Sequence, residues 1–86
     1  MTTHGVSLEF EYDRPSTARI VAESIAREIG EIDDDRSRTI IDRDGTLVRL
    51  EIDANDLVAL RAAANTWLSL VDVAERTADV GAAALE

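Results

Sequence analysis

The chain has 86 residues, 45% of them apolar, and no cysteine. That is enough apolar side chain for one thin-cored globular domain and argues against disorder, while disulfides and cysteine-based zinc sites are excluded. Eighteen acids face nine bases, for a net charge of −9, and all nine bases are arginine. Such a negative field argues against a simple phosphate-binding surface, because nucleic-acid affinity needs clustered cations. An acidic, lysine-free composition is what a protein adapted to molar salt looks like, where the Debye length shrinks to about 3 Å and exposed carboxylates repel little. Arginine preference in a high-GC genome is the competing explanation, and thermal melting against KCl decides between them. A small domain without covalent staples often gains stability by oligomerising.

Val6 to Tyr12 alternates, with Val6, Leu8, Phe10 and Tyr12 on one side and Ser7, Glu9 and Glu11 on the other. That is a half-buried strand. Asp13-Arg14-Pro15-Ser16 breaks it, and Ser16 or Asp13 is expected to cap the helix that follows. From about Pro15 to Ile29 the period changes to Ala18, Val21, Ala22, Ile25 and Ile29, a helical stripe with Gly30 as the expected C-cap. Glu31 to Asp35 reads as a solvated acidic loop. A calcium loop would need ligands at alternating positions and a turn glycine, which Asp33-Asp34-Asp35 lacks.

Ser37 to Asp42 and Thr46 to Asp53 flank Arg43-Asp44-Gly45, a hairpin signal. Ile40 and Ile41 point to opposite faces, which hints at a covered surface or at an edge that pairs. Asp53 or Asn55 is expected to cap a last helix over about Asn55 to Thr77. Residues 1–5 and 78–86 are expected to fray. The expected fold is α+β in the order β-α-β-β-α, a three-stranded antiparallel sheet with both helices on one face, extended across a homodimer. Residues 1–86 form one domain, with no repeat and no linker.

Catalytic machinery is not apparent. His4 is the only histidine and falls near the terminus, the four glycines are isolated, and Ser16 and Ser24 have no basic partner nearby. No cofactor and no metal site is expected. A KH-like RNA-binding domain is the competing class. It would need a GxxG loop, which is absent, and its basic cluster would have to be Arg36, Arg38, Arg43 and Arg49. Those arginines read better as solvated strand charges facing Glu9, Glu11 and Glu51. A small acylphosphatase-like enzyme would need another strand and a phosphate loop. No run of 18 apolar residues exists, so no membrane span is expected. Met1 to Gly5 lacks the basic and apolar regions of a signal peptide, so the expected location is the cytoplasm.

The last helix carries more apolar surface than one stripe needs. One stripe is Leu57, Leu60, Ala64, Trp67 or Leu68, Val71 and Ala74; a second is Ala59, Ala63, Leu70 and Val73. A two-layer domain buries one such stripe, so the second calls for a partner helix or a second copy. Arg61 and Asn65 are four residues apart and share a face. A mid-helix asparagine has no propensity advantage and is expected to bond outside its own helix.

This stretch, Ala54-Asn55-Asp56 through Leu60-Arg61-Ala62-Ala63-Ala64-Asn65-Thr66-Trp67-Leu68, resembles the C-terminal helix of the CTAG/Pcc family. Ala54, Asp56, Leu60, Arg61, Ala62, Asn65, Thr66 and Leu68 carry the likeness, and the opening strand, first helix and hairpin agree with it. The resemblance implies a non-enzymatic, homodimeric accessory subunit of the KEOPS complex that makes threonylcarbamoyladenosine in tRNA. It further implies binding to that complex's ATPase-fold catalytic subunit through the helices, with tRNA touched only indirectly or weakly. The interface candidates are Leu60, Arg61, Ala63, Ala64, Asn65, Trp67, Leu68 and Asp72.

Overall fold

The computed structural model describes residues 4–85, with side-chain surroundings through residue 79. The chain folds as β1 (His4–Glu11), α1 (Pro15–Ile32), β2 (Ser37–Asp44), β3 (Leu47–Ala54) and α2 (Leu57–Leu85). The sheet order is β1-β3-β2, and both pairings are antiparallel. Both helices cover the same sheet face, α1 chiefly over β2 and α2 over β3 and β1. The α+β architecture expected from patterning is the one observed.

Alternation builds the sheet as the sequence implies. Val48, Leu50, Ile52 and Ala54 of the central strand are buried, and their neighbours Leu47, Arg49, Glu51 and Asp53 lie on the open face. Gly45 adopts φ +60° at the first position of the two-residue turn Gly45-Thr46, the conformation glycine supplies at the head of a type II′ hairpin. β2 therefore runs two residues beyond its expected end, to Asp44. β1 begins at His4, which pairs with Ala54, so His4 and Gly5 belong to the sheet rather than to a frayed end. Residues 1–3 lie outside the described residues.

Three terminus expectations need correction. Gly30 does not end α1. The helix continues to Ile32 and closes where the Asp33 N–H donates to the Ile29 carbonyl, because Ile29 and Ile32 both pack on the core. Neither Asp13 nor Ser16 caps the start of α1; Arg14 occupies that position without a side-chain hydrogen bond, and Pro15 begins the helix. Asp56, not Asp53 or Asn55, caps α2, its Oδ1 accepting the Ala59 N–H at 2.7 Å. Asp53 is used by the strand, and Asn55 Nδ2 donates to the Asp35 carbonyl at 3.1 Å.

α2 also runs past Thr77, through Gly81 to Leu85. Its buried residues are Ala59, Ala63, Trp67, Val71, Ala74 and Ala78, with Leu60, Ala64 and Leu70 flanking them. By length and composition Leu57–Asp79 could cross a bilayer. Here its apolar stripe lies against the sheet, as in an amphipathic core helix. Trp67 is 0% exposed at the centre of the core, and its indole N–H donates to Thr39 Oγ1 at 2.8 Å.

Candidate interaction surface

The helix α2 divides the sequence-derived interface candidates into three groups. Ala63 and Trp67 are buried in the protein's own core. Leu60 and Ala64 are half-buried beside it. Arg61, Asn65, Leu68 and Asp72 are exposed, and helical spacing puts them on one lateral face. Among the described residues neither Arg61 nor Asn65 makes a side-chain hydrogen bond or ion pair within the chain; Asp72 pairs with Arg76. The acceptor expected for Asn65 outside its own helix is thus not found in this chain.

The two-stripe reading is partly redrawn. Leu57, Trp67 or Leu68, and Val71 do not form one seam: Trp67 and Val71 turn inward, while Leu57 and Leu68 are 60% and 45% exposed. Val58 and Val73 are exposed as well. The apolar excess is therefore real, but the residues that carry it are Leu57, Val58, Leu68 and Val73. Sequence reading places Leu57 and Val73 in the two stripes, but Val58 falls in neither. The signal available is its position two residues after the cap Asp56, on the first exposed turn.

By helical spacing Leu57, Leu60, Ala64 and Leu68 share one side of α2 with Glu75, which lies near Tyr12. Tyr12, just beyond the end of β1, marks this side. Its hydroxyl is buried without a hydrogen-bond partner, and Glu75 of α2 lies close without meeting hydrogen-bond geometry. Burial first, then the nearby Glu75 charge, raises the tyrosine pKa well above its ordinary value. Val6, Leu8 and Phe10 of β1 reach the core but stay only half-buried, because among the described residues no element lies outside β1 to complete their cover.

The acidic loop is structural rather than merely solvated. Asp33 Oδ2 accepts the Thr39 N–H at 2.9 Å, and Asp34 Oδ1 accepts the N–H groups of Arg36 at 2.7 Å and Ser37 at 3.1 Å. The Asn55 N–H donates to the Arg36 carbonyl at 2.9 Å, which pins the loop against the start of α2. Asp33 Oδ1 is buried and unpartnered. No cluster suited to a metal ion occurs among the described residues. Asp56 is held below the usual carboxylate range, chiefly by the Ala59 N–H and also by Arg36, whose guanidinium lies 3.6 Å away.

The open face of the sheet offers no cationic surface. Arg38 and Arg49 stand there among Glu9, Glu11, Asp42, Asp44, Glu51 and Asp53. Arg49 pairs with Glu9 at 3.3 Å, and Arg43 donates to the Gly45 carbonyl at 3.1 Å.

The result is a two-layer α+β domain with an unpaired strand edge, among the described residues, and exposed apolar residues on α2. A family model described as "Transcription factor Pcc1" matches residues 5–79, and the chain belongs to that family. A chain of the solved "Crystal structure of binary complex Gon7-Pcc1" aligns with TM-score 0.69 over 90% of this chain and 94% of that one. The two are 14% identical, so the likeness is one of fold. No curated protein matches the sequence.

Proposed function

We propose that the chain is a non-catalytic accessory subunit of a KEOPS-type complex, a homodimer that also holds the complex's ATPase-fold catalytic subunit. In this reading it supports threonylcarbamoyladenosine formation in tRNA by assembly alone. The observation that carries it is the exposed α2 face, where Leu57 and Leu68 flank the unpaired Arg61 and Asn65. Family membership supports it, as does the fold likeness to a chain crystallised in a two-protein complex.

Arg61 supplies a bidentate fork for a partner carboxylate, and Asn65 a donor and acceptor one turn away. The small Ala64 lets a partner helix approach closely. The family description mentions transcription, but an acid-rich sheet face and paired arginines favour protein contact over phosphate contact. The same composition fits a cytoplasm rich in salt, so the assays belong in molar KCl.

The test is co-purification with the catalytic subunit. Leu68→Asp places a charge on an exposed position, keeps the domain folded, and abolishes pull-down. Unchanged pull-down would refute this placement of the interface. Ala63 is the wrong probe, since it is 7% exposed and a large substitution there disturbs the protein's own core.

A further inference from the structure

We infer that the open face of the sheet docks a cationic segment of a partner protein, one that carries lysine or arginine beside apolar residues. One cationic side chain of that segment enters the recess between Ile40 and Glu51. This surface is the side of the sheet turned away from α1 and α2. The inference therefore goes beyond the assembly role proposed for α2 and does not depend on it.

The acid excess is not spread evenly over the chain. Each helix carries three acids and two arginines. The open face carries six acids against Arg38 and Arg49 alone, and so holds −4 of the net −9. An acid coat that serves only solubility in salt has no reason to favour one layer. Outside the sheet, Asp33, Asp34 and Asp56 are committed to backbone N–H groups of their own chain.

Strand register sets the open face in rows. Arg49 lies between Glu9 and Asp42, and Asp53 lies between Gly5 and Arg38, so each arginine has an acid beside it. The other two rows hold no cation: Ser7, Glu51 and Ile40 form one, and Glu11, Leu47 and Asp44 the other. Both place an apolar side chain directly beside a carboxylate. Ile40 is 61% exposed, and Leu47 is half-buried.

A recess of about 330 Å³ lies where the Arg49 and Glu51 rows meet, lined by Ile40, Ile41, Asp42, Arg49 and Glu51. Arg49 is taken by Glu9 at 3.3 Å. Among the described residues, Asp42 and Glu51 have no ion-pair partner. The recess thus offers an apolar wall and two uncommitted carboxylates. A lysine or arginine side chain matches both, with its methylene stem on Ile40 and its charged head at Asp42 and Glu51. A simple polyamine would satisfy the carboxylates and leave Ile40 in water. The same apolar–acidic pairing recurs at Leu47, two rows along the sheet, where the next basic and apolar residues of one segment find their place.

The probe is a fluorescently labelled peptide of three Arg-Leu-Lys-Ala repeats. It is titrated by anisotropy against the full chain, at the lowest KCl concentration that keeps the chain folded by circular dichroism, because salt screens exposed pairs. The unmodified chain should bind it. Asp42→Asn combined with Glu51→Gln should weaken binding about tenfold, as two exposed ion pairs are lost. Glu23→Gln combined with Glu28→Gln on α1 removes the same charge and should change affinity by less than about twofold. Ile40→Ser keeps the charge and should weaken binding about fivefold. All five positions are exposed, so the core stays intact. Absence of binding by the unmodified chain overturns the inference, and so does an equal loss in the two double variants, which would show attraction to net charge alone. Full-strength binding by Ile40→Ser, or equal displacement of the peptide by spermine at matched charge, overturns a protein segment as the occupant.

Discussion

The two edges of this sheet are built from similar strands and have opposite fates. β1 and β2 are each eight residues long, and both pair with β3. β2 is sealed along its first half by Asp33 and Asp34, whose carboxylates take the amides of Thr39 and Ser37. It is also anchored from within by the Trp67 indole on Thr39. β1 has neither device, and its apolar side chains stay half-buried. An unpaired strand edge invites another chain, so proteins close the edges that are not meant to pair. The contrast ties β2 into the protein's own fold and leaves β1 unsealed.

The largest way to break this contrast is at Trp67. Trp67→Ala removes a side chain that is fully buried at the centre of the core. It should cost about 3–5 kcal/mol, a large share of the 5–15 kcal/mol typical of a small domain. Urea unfolding should show a collapse in the midpoint, and a fall of less than about 1 kcal/mol would mean that the core is held elsewhere.

A smaller and more informative change is Asp33→Ala, which unseals β2. Loss of a charge-assisted hydrogen bond to a part-buried amide should lower stability by about 1.5–3 kcal/mol. With both edges then open, light scattering should detect species larger than the unmodified protein forms. Lower stability with unchanged size would show that Asp33 braces the loop without guarding the edge.

The smallest expected effect is at Tyr12. Its pKa is raised in the folded state, so the folded protein keeps the phenolic proton and the contribution is intact below the ordinary tyrosine value of 10.0. As pH rises past that value the unfolded chain loses its proton first, and stability falls. Tyr12→Phe should leave stability at neutral pH nearly unchanged, because the hydroxyl has no hydrogen-bond partner to lose. It should flatten the decline above about pH 10, where a normal tyrosine ionises. An unaltered alkaline melting profile would mean that other groups govern it.

Much of the fold is readable from residue periods. The alternation of Val6-Leu8-Phe10 and Val48-Leu50-Ile52 marks strands, the Ala18-Val21-Ile25 spacing marks a helix, and Gly45 marks the hairpin. The terminus errors share one cause. Gly30, Asp53 and Asn55 are good cap residues by type, but the competing contacts of Ile32 and the exposed cap position of Asp56 decided where the helices end. On α2, the sequence singled out Arg61, Asn65 and Leu68, which lie exposed on one side of the helix. It could not tell Trp67 from Leu68, adjacent residues both compatible with an apolar stripe, and it gave no sign that Thr39 would receive the indole proton.

By itself, then, the sequence determined the element types, the apolar excess of α2, the absence of cysteine chemistry and the acidic surface, because each depends on local period or on composition. Only the tertiary structure decided which apolar residues of α2 are spent on the core and which strand edge is left open. Both depend on contacts that residue period does not encode: Asp33 reaching Thr39, Trp67 reaching the same residue from the other side across 28 positions, and, among the described residues, no element arriving beside β1.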